Sequence, residues 1–88
     1  MQAMFDKCQV LEVRSGKSKA GNDYSVLKFL DEDDLEVYEL FCFGEARALA
    51  LPLVKGTRCS LVVEIAPDNR GAGVRVLLAG VGEYGLSS

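Results

Sequence analysis

Apolar and polar residues alternate with a period of two through most of this chain, and that alternation predicts strands. Residues 4–14, M-F-D-K-C-Q-V-L-E-V-R, read as a first strand in which Cys8 and Val10 share one parity and Leu11 and Val13 the other. A parity change inside one strand predicts a bulge, as needed where one strand serves both halves of a barrel. Residues 24–31 form a second strand, with Tyr24, Val26, Lys28 and Leu30 on one face and Ser25, Leu27, Phe29 and Asp31 on the other. The tight acidic turn at Asp31 to Asp34 leads into a third strand, 35–43, completing a hairpin. In that strand Tyr38 has the opposite parity to Phe41 and Phe43, and the two phenylalanines are assigned to the core.

Gly44 ends this run. Glu45 to Leu51, E-A-R-A-L-A-L, is the one good helix-forming segment, and Pro52 limits it to about two turns. A fourth strand over 58–66 places Cys59, Leu61, Val63 and Ile65 on one face, and a fifth covers 74–81 after the glycine-containing loop P-D-N-R-G-A-G. The order is three strands, a short helix, then two strands. It predicts an all-β, five-stranded OB-type barrel with the helix between strands three and four. An SH3-like barrel fits this order less well. Residues 1–82 make the one domain, and 83–88 are a loose tail, Tyr84 excepted.

Composition supports one small globular domain: 88 residues, 49% apolar and 26% charged. No apolar run reaches membrane-spanning length, and Asp6 interrupts the apolar start, against a signal peptide. Cys8, Cys42 and Cys59 lie singly in strand-like segments without a C-x-x-C pair. Buried free thiols and a cytoplasmic protein are expected. With no histidine, neither a Ser-His-Asp nor a Cys-His nucleophile is possible, and a zinc site would need an unusual ligand set. The acidic run 31–34 lacks the spacing and glycine of a calcium loop, so it reads as a solvated turn. No phosphate-loop motif is present. No enzyme, cofactor, metal or small-molecule substrate is expected.

Charge changes the picture through its distribution. The net charge is −3, yet residues 1–30 carry +2, residues 31–45 carry −7 and residues 46–88 carry +2. Segregation of this kind permits a cationic face on an acidic protein. The basic stretch is R-S-G-K-S-K-A-G-N-D-Y-S, from Arg14 to Ser25. Its cations, Arg14, Lys17 and Lys19, precede Tyr24 at the start of an apolar strand, a pairing that suits phosphates and a stacked base of one nucleic-acid strand. Gly16 and Gly21 supply places for sharp turning. The candidate nucleic-acid-binding residues are Arg14, Lys17, Lys19, Tyr24, Lys28 on the Tyr24 face, Tyr38 as a second platform, Arg70 in the late loop and Arg75 in the fifth strand.

This stretch resembles the single-stranded-DNA-binding proteins of filamentous phages, which carry a similar R-S-G-x-S-x-x-G-x-x-Y-S segment. The resemblance implies an OB-like barrel, a homodimer, and coating of single-stranded DNA during replication of a phage or mobile element, in the host cytoplasm. By position it makes Arg14, Lys19 and Tyr24 binding residues of a projecting wing, in which Lys17 also lies. The family places aromatics in its central hairpin and late loop. Here the hairpin has Tyr38 beside a dense acidic turn, and the loop has none. The alternative is an OB-fold interaction subunit of a replication complex, without direct nucleic-acid binding, whose acidic hairpin meets a basic partner.

Overall fold

The computed structural model of the chain describes residues 1–67 and 73–85. Five strands and one helix occur in the expected order: β1 (Gln2–Lys17), β2 (Asp23–Asp31), β3 (Glu36–Cys42), α1 (Gly44–Ala50), β4 (Arg58–Pro67) and β5 (Val74–Gly82). All pairings are antiparallel, in one sheet ordered β3-β2-β1-β4-β5. The sheet coils on itself but β3 and β5 do not pair, so this OB-type barrel stays open along one seam.

The sixteen-residue β1 holds the two halves together. Its residues from Cys8 to Lys17 pair with β2, and those from Gln2 to Gln9 pair with β4. Register shifts between Val10 and Glu12, and between Phe5 and Cys8, let the strand change face as it passes from one half to the other. The parity change at Leu11 is thus a bulge. Cys8 and Val10 point into the core before it, and Val13 packs on the core after it.

The core gathers Leu27 and Phe29 of β2, Leu40 and Cys42 of β3, Cys59, Leu61 and Val63 of β4 and Leu78 of β5. Helix α1 presents its two buried alanines, Ala46 and Ala50, and small side chains let its backbone come close to the sheet. At the open seam Phe5, Phe29 and Tyr38 pack with ring centroids 5.3–5.6 Å apart.

All three cysteines are buried free thiols. Burial, with Cys59 and the carboxylates Asp31, Glu32 and Asp33 nearby, pushes the Cys8 thiol up to about 12. Burial also raises Cys42 and Cys59. Such thiols are poor nucleophiles.

The acidic turn is only partly solvated. Asp31 is buried, and its Oδ1 accepts the Asp33 backbone N–H at 3.1 Å. Glu32 accepts the Tyr84 hydroxyl at 2.7 Å and pairs with Arg58 at 3.5 Å, while the Arg58 guanidinium lies 5.5 Å from the Tyr84 ring centroid. The Gly85 N–H donates to the Asp6 carbonyl. The chain after β5 is therefore tied back to the β2–β3 turn through Tyr84.

Leu35 closes that turn at φ 57, in the left-handed region, with its side chain 77% exposed. A branched side chain there is strained and packs on little. Leu35→Gly is expected to stabilise the fold by roughly 0.5–1 kcal/mol, the relieved strain exceeding the added freedom of the unfolded chain; urea melts of the two proteins measure it. Ionisation of Cys8 supplies a second expectation. Between its ordinary value of 9.0 and about 12 the thiol is ionised when unfolded but neutral when folded. Stability contributed by this group is complete below pH 9 and falls above it, by up to about 1.4 kcal/mol per pH unit. Urea melts at pH 7 and pH 10 should show a smaller loss in Cys8→Ala than in the parent chain.

Candidate nucleic-acid interface

The β1–β2 connection is a compact wing. The Gly21 N–H donates to the Ser18 carbonyl and the Ser18 N–H to the Asn22 carbonyl, each at 2.9 Å, while the Ser18 hydroxyl accepts the Asn22 N–H. Gly21 sits at φ 85, where a side chain would be strained. The pattern is a β-turn followed by a left-handed glycine, a common three-residue hairpin closure. It puts Lys19 at the exposed tip.

Register fixes which side chains share the outer face. Gly16 lies opposite Tyr24, Arg14 opposite Val26 and Glu12 opposite Lys28. Across the next pair Val26 meets Phe41, Lys28 meets Glu39 and Leu30 meets Val37. The outer face of β1-β2-β3 is therefore laid out in rows: Gly16 and Tyr24; Arg14, Val26 and Phe41; Glu12, Lys28 and Glu39.

Tyr24 is seated on Gly16. A Cβ built at Gly16 would lie 2.9 Å from the Tyr24 hydroxyl and 3.0 Å from Cζ. Gly16 is thus needed as an open seat for a ring rather than for turning. Tyr24 also neighbours Phe41 and Phe43, whose rings are tilted to it by 49° and 41° with centroids 6.0 and 5.9 Å away. Phe41 is 57% and Phe43 46% exposed. Arg14, Ser15, Tyr24, Val26 and Phe41 line a shallow depression of about 320 Å³. Phe43 also borders a second depression, of about 510 Å³, between α1 and β5, whose rim carries Arg75, Glu45 and Glu64.

The assignment of Phe41 and Phe43 to the core is corrected here. In β3 the core parity belongs to Leu40 and Cys42, which pair with Leu27 and Ser25 of the inward face of β2. Tyr38 is placed apart from these rings, though still 37% exposed. It shares that inward parity and packs on Phe5 and Phe29 at the seam, away from Tyr24. Burial, with Asp34, Asp31 and Glu36 nearby, raises its hydroxyl pKa. Hydrophobicity alone placed the phenylalanines inside. The parity of Leu40 and Cys42 against Leu27 was the signal that could have placed them outside.

Arg14, Lys28 and Tyr24 are brought onto one surface, with Lys17 and Lys19 on the wing that continues from it. Arg75 belongs to the separate depression by α1, which Phe43 also borders. Arg70 lies outside the described residues.

The cations are not bare. Arg14 donates to Glu39 at 3.3 Å and lies 3.7 Å from Glu12. Lys17 pairs with Asp23 at 3.3 Å. Lys28 stands in register between Glu12 and Glu39. The surface thus alternates cation and carboxylate around the half-buried Tyr24 and the exposed Phe41 and Phe43. Chemically it offers faces for planar groups and charges of both signs. Among the described residues no cluster of side chains could hold a metal ion, and no helix is long and apolar enough to cross a membrane. Comparison of the chain with family models, with curated proteins and with solved structures gives no significant match.

Gly16→Ala is expected to tip the Tyr24 ring off its seat at a cost within about 1 kcal/mol, since the colliding atoms are the far end of a side chain that can turn. The aromatic resonances of Tyr24, Phe41 and Phe43 should shift together in NMR spectra while the amide pattern of the core strands is kept. An unchanged Tyr24 environment would contradict the close approach.

Proposed function

We propose that this protein binds single-stranded DNA, without catalysis and with little sequence preference, coating it during replication of a phage or mobile element in a bacterial cytoplasm. The observation that carries the reading is the half-buried Tyr24 set against the exposed Phe41 and Phe43, beside Arg14 and Lys28, at the foot of a wing tipped by Lys19. Unpaired bases offer faces to such rings, and the phosphates then run along the cations. Bases stacked inside a duplex offer no such faces, so binding favours the single strand and melts duplex by mass action. The resemblance of the Arg14 to Ser25 stretch to filamentous-phage single-strand binders supports the same reading, and with it a homodimer. Arg75 extends the path beyond Phe43.

A second reading is an interaction subunit that meets a basic protein partner. It is favoured by the ion pairs that already engage Arg14 and Lys17, and by the exposed Asp33, Asp34 and Glu36.

The readings separate in a fluorescence-anisotropy titration of a labelled dT strand of about 20 nucleotides, at low and moderate salt, with matched duplex as control. A coating protein binds the single strand in preference to the duplex and weakens as salt rises. Tyr24→Ala and Phe41→Ala should each weaken binding by about 1–3 kcal/mol with the fold intact, and combined alanine substitution of Arg14, Lys19 and Tyr24 should abolish it. Absence of binding even at low salt would leave the interaction subunit as the reading.

A further inference from the structure

We infer that Glu39, assisted by Glu12, is a specificity residue that masks the Arg14 guanidinium, so that a polyanion without free bases is refused. The inference rests on the single-strand reading above. Glu39 comes from β3, the Arg14 guanidinium contacts its carboxylate at 3.3 Å, and Glu12 of the same strand as Arg14 lies behind at 3.7 Å. Arg14 shares a row with Val26 and Phe41, while Glu39 lies one row further along, opposite Lys28. The masked cation, the masking carboxylates and an exposed ring are therefore immediate neighbours.

A phosphate that engages the half-exposed Arg14 must displace or share the guanidinium with carboxylates that offer the same kind of charged acceptor. The exchange yields little by itself, because one anion replaces another on the same guanidinium and the released carboxylates then repel the newcomer. Stacking supplies the missing drive. A single strand lays bases on Phe41 and Tyr24 as its phosphates arrive, whereas duplex DNA and sulfated polysaccharides bring charge without open base faces. Lys17, paired with Asp23, follows the same arrangement at the base of the wing. Glu39 thereby acts through Arg14, as a positioning residue that converts a charge-driven surface into one that requires bases.

The test compares the full chain with Glu39→Gln, an exposed change that keeps a hydrogen-bond acceptor for Arg14. Glu83→Gln, which alters net charge equally at the far end of β5, is the control. Three probes are titrated: the 20-nucleotide dT strand, matched duplex and heparin. Glu39→Gln should bind dT roughly 1.5- to five-fold more tightly. Its gain on duplex and heparin should be larger, so that selectivity for the single strand falls. Removing one internal competitor should also steepen the salt dependence for dT by up to about 0.7 in log K against log salt. In an Arg14→Ala background the same substitution should do much less, the mark of an effect transmitted through Arg14. Thermal melting without ligand checks that both variants fold. Equal gains in Glu39→Gln and Glu83→Gln, unchanged selectivity, or the full effect persisting without Arg14 would each overturn the inference and leave the single-strand reading standing. Failure of the parent chain and of Glu39→Gln alike to bind dT would overturn both.

Discussion

Everything in this molecule depends on one strand being shared. β1 is the middle strand of the sheet, paired with β2 along its second half and with β4 along its first. A flat strand could not present its apolar residues to one core along that whole length while the sheet coils around it. The two register shifts resolve the conflict by letting the strand switch face. The first half then supplies Ala3 and Phe5 to the seam side of the core, the middle supplies Cys8 and Val10, and the far end is freed to project as the wing.

The projection has a functional consequence. Beyond the bulge, alternate residues of β1 face outward, so Glu12, Arg14 and Gly16 become one edge of the β2–β3 surface. A side chain at Gly16 would collide with the Tyr24 ring, and the ring could not then settle against Phe41 and Phe43. Backbone geometry, a missing side chain and three aromatic rings thus form a single unit. The carboxylates belong to that unit too. Glu12 and Glu39 flank Lys28 and hold Arg14, which limits what charge alone can attract to this face.

The opposite end of the hairpin is organised differently. The acidic turn is held by the Asp31 carboxylate, braced by Arg58 through Glu32 and fastened to the segment after β5 by Tyr84. Along β2 it lies eight residues from the wing, on the order of 26 Å at the usual strand rise. That separation keeps much of the negative charge away from the cations, within reach of screening by ordinary salt. The protein can thus be acidic overall and still carry a mixed-charge, ring-bearing surface at one end.

Local pattern by itself determined a great deal. Strand alternation, the helix-forming run cut short by Pro52 and the chain order announced five strands with α1 between β3 and β4, because those signals depend only on near neighbours. The parity break at Leu11 announced the bulge for the same reason. The wing, too, was legible, since Gly21 and the spacing of Arg14, Lys19 and Tyr24 are local. The tertiary structure decided the rest. Tyr38 and Phe41 are aromatic residues of one strand and Phe43 follows just past its end, and hydrophobicity cannot say which parity faces inward. The register with Leu27 and Phe29 does, sending Tyr38 to the seam and Phe41 to Tyr24, where Phe43 joins it. The pairing of Arg14 with Glu39, residues 25 apart in sequence, was equally hidden, because opposite charges on different strands become partners only when the sheet sets them side by side.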